Sequence, residues 1–140
     1  MAVDPKMDWA SVQTMMDAYG ASFDTSGMLR LYTVGGGVPA NCDDAITDQT
    51  LLAELTLAAD AFGACSGAGV ITAGTITADS SANAAGDAAF GRYFKTGGTV
   101  AGFQGLCEET SGGDFNLDDT TITLGANVSC SAATITMPRE

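Results

Sequence analysis

One stretch near the start of the chain repeats its apolar residues at helical spacing. Between residues 5 and 19, Trp9, Val12, Met15, Met16 and Tyr19 recur every three or four positions. Lys6, Asp8, Gln13 and Asp17 occupy the polar positions between them. Asp4 can accept hydrogen bonds from the open first turn, and Pro5 suits the first helical position. The pattern therefore predicts a helix over 5–19, ended by Gly20. So short a helix is marginal alone in water, and its apolar stripe must be covered. Two covers are open: the domain's own sheet, or a neighbouring subunit. The second makes Trp9, Val12, Met15, Met16 and Tyr19 candidate subunit-contact residues.

From Gly27 onward the period changes from helical to alternating, with Gly, Asp, Asn and Ser between the runs. Strands are predicted at 28–34, 51–58, 70–78, 88–95, 99–106, 120–124 and 128–137. Gly74 falls inside the third run, where a glycine marks a bulge or bend. Thr96-Gly97-Gly98 joins the fourth and fifth runs as a hairpin, and Pro138 stops the last. Gly35-Gly36-Gly37 and the following Val38-Pro39-Ala40-Asn41 form a turn or loop. Seven short runs with glycine-rich turns predict a mainly β chain, an antiparallel β-sandwich or jelly-roll-like domain with one N-terminal α-helix. Residues 1–26 form a helical arm and 27–140 the β-sandwich domain.

Composition narrows the chemistry. The 140 residues hold five Lys and Arg against seventeen Asp and Glu, a formal net charge of −12, with no histidine. The basic residues Lys6, Arg30, Arg92, Lys95 and Arg139 are scattered, which disfavours nucleic acid and anionic membranes as partners. The lack of histidine removes Ser-His-Asp and Cys-His catalysis, histidine-ligated zinc and histidine pH switching. No apolar run approaches the ~20 residues of a membrane span. The N-terminal MAVDPKMDWA lacks the charged-then-apolar order of a signal peptide.

The remaining chemical candidates are few. Cys42, Cys65, Cys107 and Cys130 are spaced too widely for a CxxC redox or zinc motif. They are candidate disulfide residues, within or between chains, or buried thiols. Four cysteines allow three pairings, and sequence does not choose among them. The run Asp114 to Asp119 has a superficial calcium-loop spacing. It lacks the required Gly and Glu and reads as a solvated turn before a strand. Glu54, Glu108 and Glu109 are the carboxylates a glycosidase would draw on. Phe90 and Phe94 share one strand face with Tyr93 on the other. Phe90, Phe94 and Phe103 are expected in the core, and Tyr93 with Arg92 is the candidate exposed platform for a sugar.

Several segments together resemble a known family. They are Leu29-Arg30-Leu31-Tyr32, Pro39-Ala40-Asn41-Cys42-Asp43, the run 51–57 with Ala61-Phe62-Gly63, the run 76–86, Ala89-Phe90-Gly91-Arg92, the run 113–118, and 121–126. They are similar to small β-rich structural proteins encoded in the virion gene clusters of tailed bacteriophages, over most of residues 28–138. The resemblance implies a virion component without enzymatic activity, metal or cofactor. It is either a head decoration (cement) protein or a tail accessory protein. A decoration protein would sit on the outer surface of the phage head after synthesis in the bacterial cytoplasm. Its partners would be the major capsid protein and other copies of itself, as a dimer or trimer. A tail or baseplate accessory protein would contact host-surface glycans. The cysteines and the acidic helix depart from the family pattern and are not carried over from it.

Overall fold

In the computed structural model, which describes residues 6–137, a helix precedes ten short strands. The helix α1 spans Trp9–Ala21. The expected start at residues 4 and 5 lies outside the described residues, and Asp8 makes the cap instead. Its Oδ1 accepts the Ser11 N–H at 3.0 Å and its Oδ2 the Ser11 hydroxyl at 2.6 Å. Those bonds hold the Asp8 carboxyl below its ordinary value. Gly20 does not end the helix; it lets the helix approach the sheet. A Cβ there would sit 3.3 Å from the Phe62 Cβ and 3.4 Å from Ile71.

The strands are β1 (Met28–Tyr32), β2 (Leu51–Leu57), β3 (Val70–Thr72), β4 (Ile76–Thr77), β5 (Gly86–Asp87), β6 (Phe90–Phe94), β7 (Ala101–Glu109), β8 (Phe115–Leu117), β9 (Thr121–Ile122) and β10 (Cys130–Thr136). Eight form one sheet in the order β3-β10-β8-β7-β6-β1-β2-β4, and β5 pairs separately with β9. The two outermost strands, β3 and β4, are consecutive pieces of a single stretch. Only residues 73–75 separate them, a reach of at most roughly 13 Å. The large sheet therefore curls until its edges meet.

Hydrogen bonds across this seam complete the curl. On one side, β3 pairs with β10 through Val70↔Thr136, Ala73 donates to the Ala133 carbonyl, and Asp79 bridges Val128. On the other, β4 pairs with β2, and Phe62 bridges Ala73 beyond the end of β2. The expected strand 70–78 is thus one bent strand, broken around Gly74, whose N–H reaches across to Ala61 O at 2.9 Å. Counting it once turns the eight-stranded sheet into a ring of seven.

Two strands were not foreseen. Alternation over Phe115-Asn116-Leu117 is only three residues long and lies inside an acidic stretch. Nevertheless Phe115 and Leu117 are fully buried, so this segment is a core strand and not a solvated turn. It pairs parallel to β7, Cys107↔Phe115, whereas the other pairings of the large sheet are antiparallel. The chain makes the circuit from Cys107 to Phe115 in a tight coil, with Thr110 at φ 64° and Gly112 at φ 97°. The second is β5, too short and too glycine-rich to show a period.

The core lies inside the ring: Leu29, Leu31, Leu55, Ile71, Tyr93, Phe115 and Ile135 are buried there. At one end, α1 contributes Val12 and Met16 to the same core, with Phe23 following. The Tyr19 hydroxyl donates to the Gly102 carbonyl, along the part of β7 that short β8 does not reach. At the other end, Ala82, Ala88, Ile122 and Val128 close the ring, held by bonds such as Ala82 N to Ala126 O at 2.9 Å.

Candidate functional site

The outer face of β6 carries Phe90, Arg92 and Phe94, and the inner face Tyr93. All five residues of this strand are buried, because a second layer covers the outside. That layer begins with cross-strand pairs. The Tyr32 ring stacks on Phe90 at 5.3 Å, and the Arg30 guanidinium lies 4.4 Å above the Phe94 ring. Arg30 also pairs with Glu54, Nε to Oε2 at 2.6 Å, and donates to the Gly98 carbonyl at 3.0 Å.

Arg92 organises the rest. Only 3% exposed, it donates to Gln104 Oε1 at 2.8 Å, to the Asp44 carbonyl at 2.7 Å and to the Asn41 carbonyl at 3.3 Å. Gln104, its cross-strand neighbour, donates to the Pro39 carbonyl at 2.7 Å. These bonds pin the loop 33–50 to the outside of the sheet. Sequence reasoning did not foresee this role. The one signal was an arginine between two phenylalanines of a single strand face.

This arrangement corrects the expected sugar platform. Tyr93 is fully buried in the core, with Phe115 at 4.9 Å, Phe62 at 5.2 Å and Phe23 at 5.8 Å between ring centres. Arg92 lies beneath the loop. Phe103 packs inward beside Tyr93, whereas Phe90 and Phe94 are buried in the outer layer, so the aromatic residues serve two layers. The reason is register: Tyr93 opposes Phe103 across β6 and β7, and both point into the ring.

The other candidates are dispersed. Glu54 on β2 is separated from Glu108 and Glu109 on β7 by β1 and β6. Three strand spacings are roughly 14 Å, beyond the ~5–9.5 Å at which two glycosidase carboxylates cooperate. Glu109 instead accepts the Thr120 hydroxyl at 3.1 Å.

No disulfide is present among the described residues. Cys65, Cys107 and Cys130 are buried, and Cys42 is half-buried in the pinned loop. Cys107 opposes Phe115 and Cys130 opposes Leu117, on the two sides of β8. Two strand spacings, roughly 9–10 Å, exceed the ~7 Å that a disulfide spans. Burial, reinforced by Cys130, Asp114 and Glu108, pushes the Cys107 thiol up to about 12. It is a neutral thiol near neutral pH.

Of the five stripe residues, Val12 and Met16 are buried, Trp9 and Tyr19 pack partly against the core, and Met15 is 44% exposed. The helix face is therefore engaged mainly with its own sheet. A cavity of about 300 Å³ opens at the seam, lined by residues 72–76 and by Cys130, Ser131 and Ala133. No charged side chain lines it. Among the described residues, no group of three or more Cys, Asp or Glu side chains is placed to hold a metal ion. Nor, among the described residues, is any helix long and apolar enough to cross a membrane. Compared with protein-family models, curated proteins and solved structures, the chain gives no match.

Proposed function

We propose that this chain is a non-enzymatic structural protein of a tailed-bacteriophage virion, a capsid decoration protein that binds the outside of the assembled head and stabilises it. The curled sheet is read here as a flattened, jelly-roll-like sandwich, antiparallel except at β7 and β8. The resemblance of the segments over 28–138 supports the class. The observation that carries the location is the distribution of charge. Arg30 is paired with Glu54 and Arg92 is buried beneath the loop 33–50. Exposed carboxylates such as Asp43, Asp44, Asp48, Glu108, Asp114 and Asp118 dominate what remains. Such an exterior suits a surface turned away from packaged DNA.

The mechanism is mass action. A protein that binds only the expanded lattice stabilises that lattice in proportion to RT ln(1 + [L]/Kd). Acidic copies repel one another, so the contact with the shell must supply the attraction. The ring has little free strand edge among the described residues, so contacts would run through side chains more than through added strands. Mixing the purified protein with expanded, undecorated shells tests the reading. Saturable uptake, with shells that then resist heat better, is the expected result. Absence of uptake would remove it. The second reading, a tail or baseplate protein that contacts host glycans, has lost its aromatic candidate with the burial of Tyr93.

A further inference from the structure

The loop 33–50 contains no strand or helix, and none of its side chains belongs to the hydrophobic core. Loops this long without structure of their own are uncommon in compact domains and usually carry function. This one is nonetheless held firmly. Arg92 and Gln104 bind the carbonyls of Asn41, Asp44 and Pro39. Gln49 donates to the Gly37 carbonyl, and the Gly36 N–H donates to Asp48, both at 2.7 Å. The guanidinium of Arg92 meets neutral oxygens there and not a carboxylate, so its burial serves the placement of this loop.

The loop presents apolar side chains to solvent. Val34 is 51% and Val38 37% exposed, on either side of a turn closed by Gly37 N to Val34 O at 2.9 Å. Leu106 is 53% exposed and stands two residues along β7 from Gln104, on the same face. Leu106 opposes Phe90, whose ring is already locked against Tyr32. Exposed carboxylates lie on, or hydrogen-bond to, the same segments of chain. Asp48 sits on the turn, Asp44 accepts the Asn41 N–H, Asp114 accepts the Leu106 N–H, and Glu108 shares the face of Leu106.

We propose that Val34, Val38 and Leu106, together with these carboxylates, form a docking surface for a protein that presents an apolar side chain among lysines or arginines. Charge selects this occupant: at a net −12, a second copy would bring like charge to the same rim. Because the loop is already fixed, little ordering is needed on contact. The inference does not rest on the virion reading.

The test uses the isotope-labelled full chain and an amphipathic helical peptide of leucine and lysine. One comparison peptide replaces lysine by glutamate and another replaces leucine by serine. The expected result is saturable shifts of amides 34–38 and 104–108 with the leucine–lysine peptide alone. Leu106→Ser and Val38→Ser should each weaken binding about tenfold while the melting temperature stays near that of the parent. Leu124→Ser, at a still more exposed leucine elsewhere, should leave binding unchanged. Shifts spread over all acidic residues, equal binding of the leucine-free peptide, unchanged affinity in Leu106→Ser, or no binding would overturn the proposal. Concentration-dependent shifts at the same amides without peptide would assign the face to a second copy and overturn it too.

Discussion

Removal of the Tyr93 hydroxyl should stabilise the protein. The ring is fully buried and packs edge-on against Phe115, Phe62 and Phe23, with Phe103 tilted at 6.1 Å. Among the described residues its hydroxyl finds no hydrogen-bond partner. Burial also drives its pKa upward, as expected of a phenol that water does not reach. A buried polar group left unpaired costs about 1–3 kcal/mol. Tyr93→Phe keeps every ring contact and discards that cost. At roughly 3 °C per kcal/mol for a chain of this size, the melting temperature should rise by about 3–9 °C. Tyr93→Leu separates the ring from the hydroxyl: it also deletes the hydroxyl but loses the aromatic contacts, and should cost about 2–4 kcal/mol. Calorimetry or urea melts of both variants read the effect. A fall in stability for Tyr93→Phe would refute the reasoning, since it would mean that the hydroxyl is bonded in solution.

Three further outcomes follow from the same geometry. The Cys107 thiol, raised by burial from its ordinary 9.0 to about 12, is neutral in the fold while the unfolded chain ionises first. Its contribution is complete below pH ~9 and is lost as pH rises toward 12, by at most about 1.4 kcal/mol per pH unit; urea melts between pH 7 and 10.5 should show the fall, less steep in Cys107→Ala. A thiol reagent at pH 8 should modify half-buried Cys42 first, with Cys65 and Cys107 reacting only on unfolding; immediate reaction of all the thiols would contradict their burial. Arg92→Met leaves the Asn41 and Asp44 carbonyls without their donor, at a cost on the order of 2 kcal/mol. Limited proteolysis should then cut within 33–50 while β1 and β2 stay intact.

The strands were legible where alternation ran for five or more residues. Met28–Tyr32 and Leu51–Leu57 lie inside the runs expected at 28–34 and 51–58. The stretch 70–78 was legible as one bent strand, because β-branched residues (Val70, Ile71, Thr72 and Thr75, Ile76, Thr77) flank Gly74 on both sides. Its role at the seam was not, since local pattern carries no information about which strands become neighbours. The helix start was expected at Asp4, with Asp8 read only as a polar helix position; Asp8 has the same cap chemistry, and Ser11, three residues on, is the partner it bonds. β8 was hidden by its brevity, and the parallel coil before it has no sequence period. The pinned loop escaped for another reason. An arginine on a strand reads as exposed, and only the tertiary position of residues 39–44 shows that it is buried.

The measurement that bears most directly on the proposed function is the number of copies of this chain in purified phage particles, by quantitative mass spectrometry against the major capsid protein. A decoration protein should be present in a fixed ratio to the capsid protein, amounting to hundreds of copies, and should stay with heads after tails are removed. A handful of copies that travel with the tails, or none at all, would contradict the account.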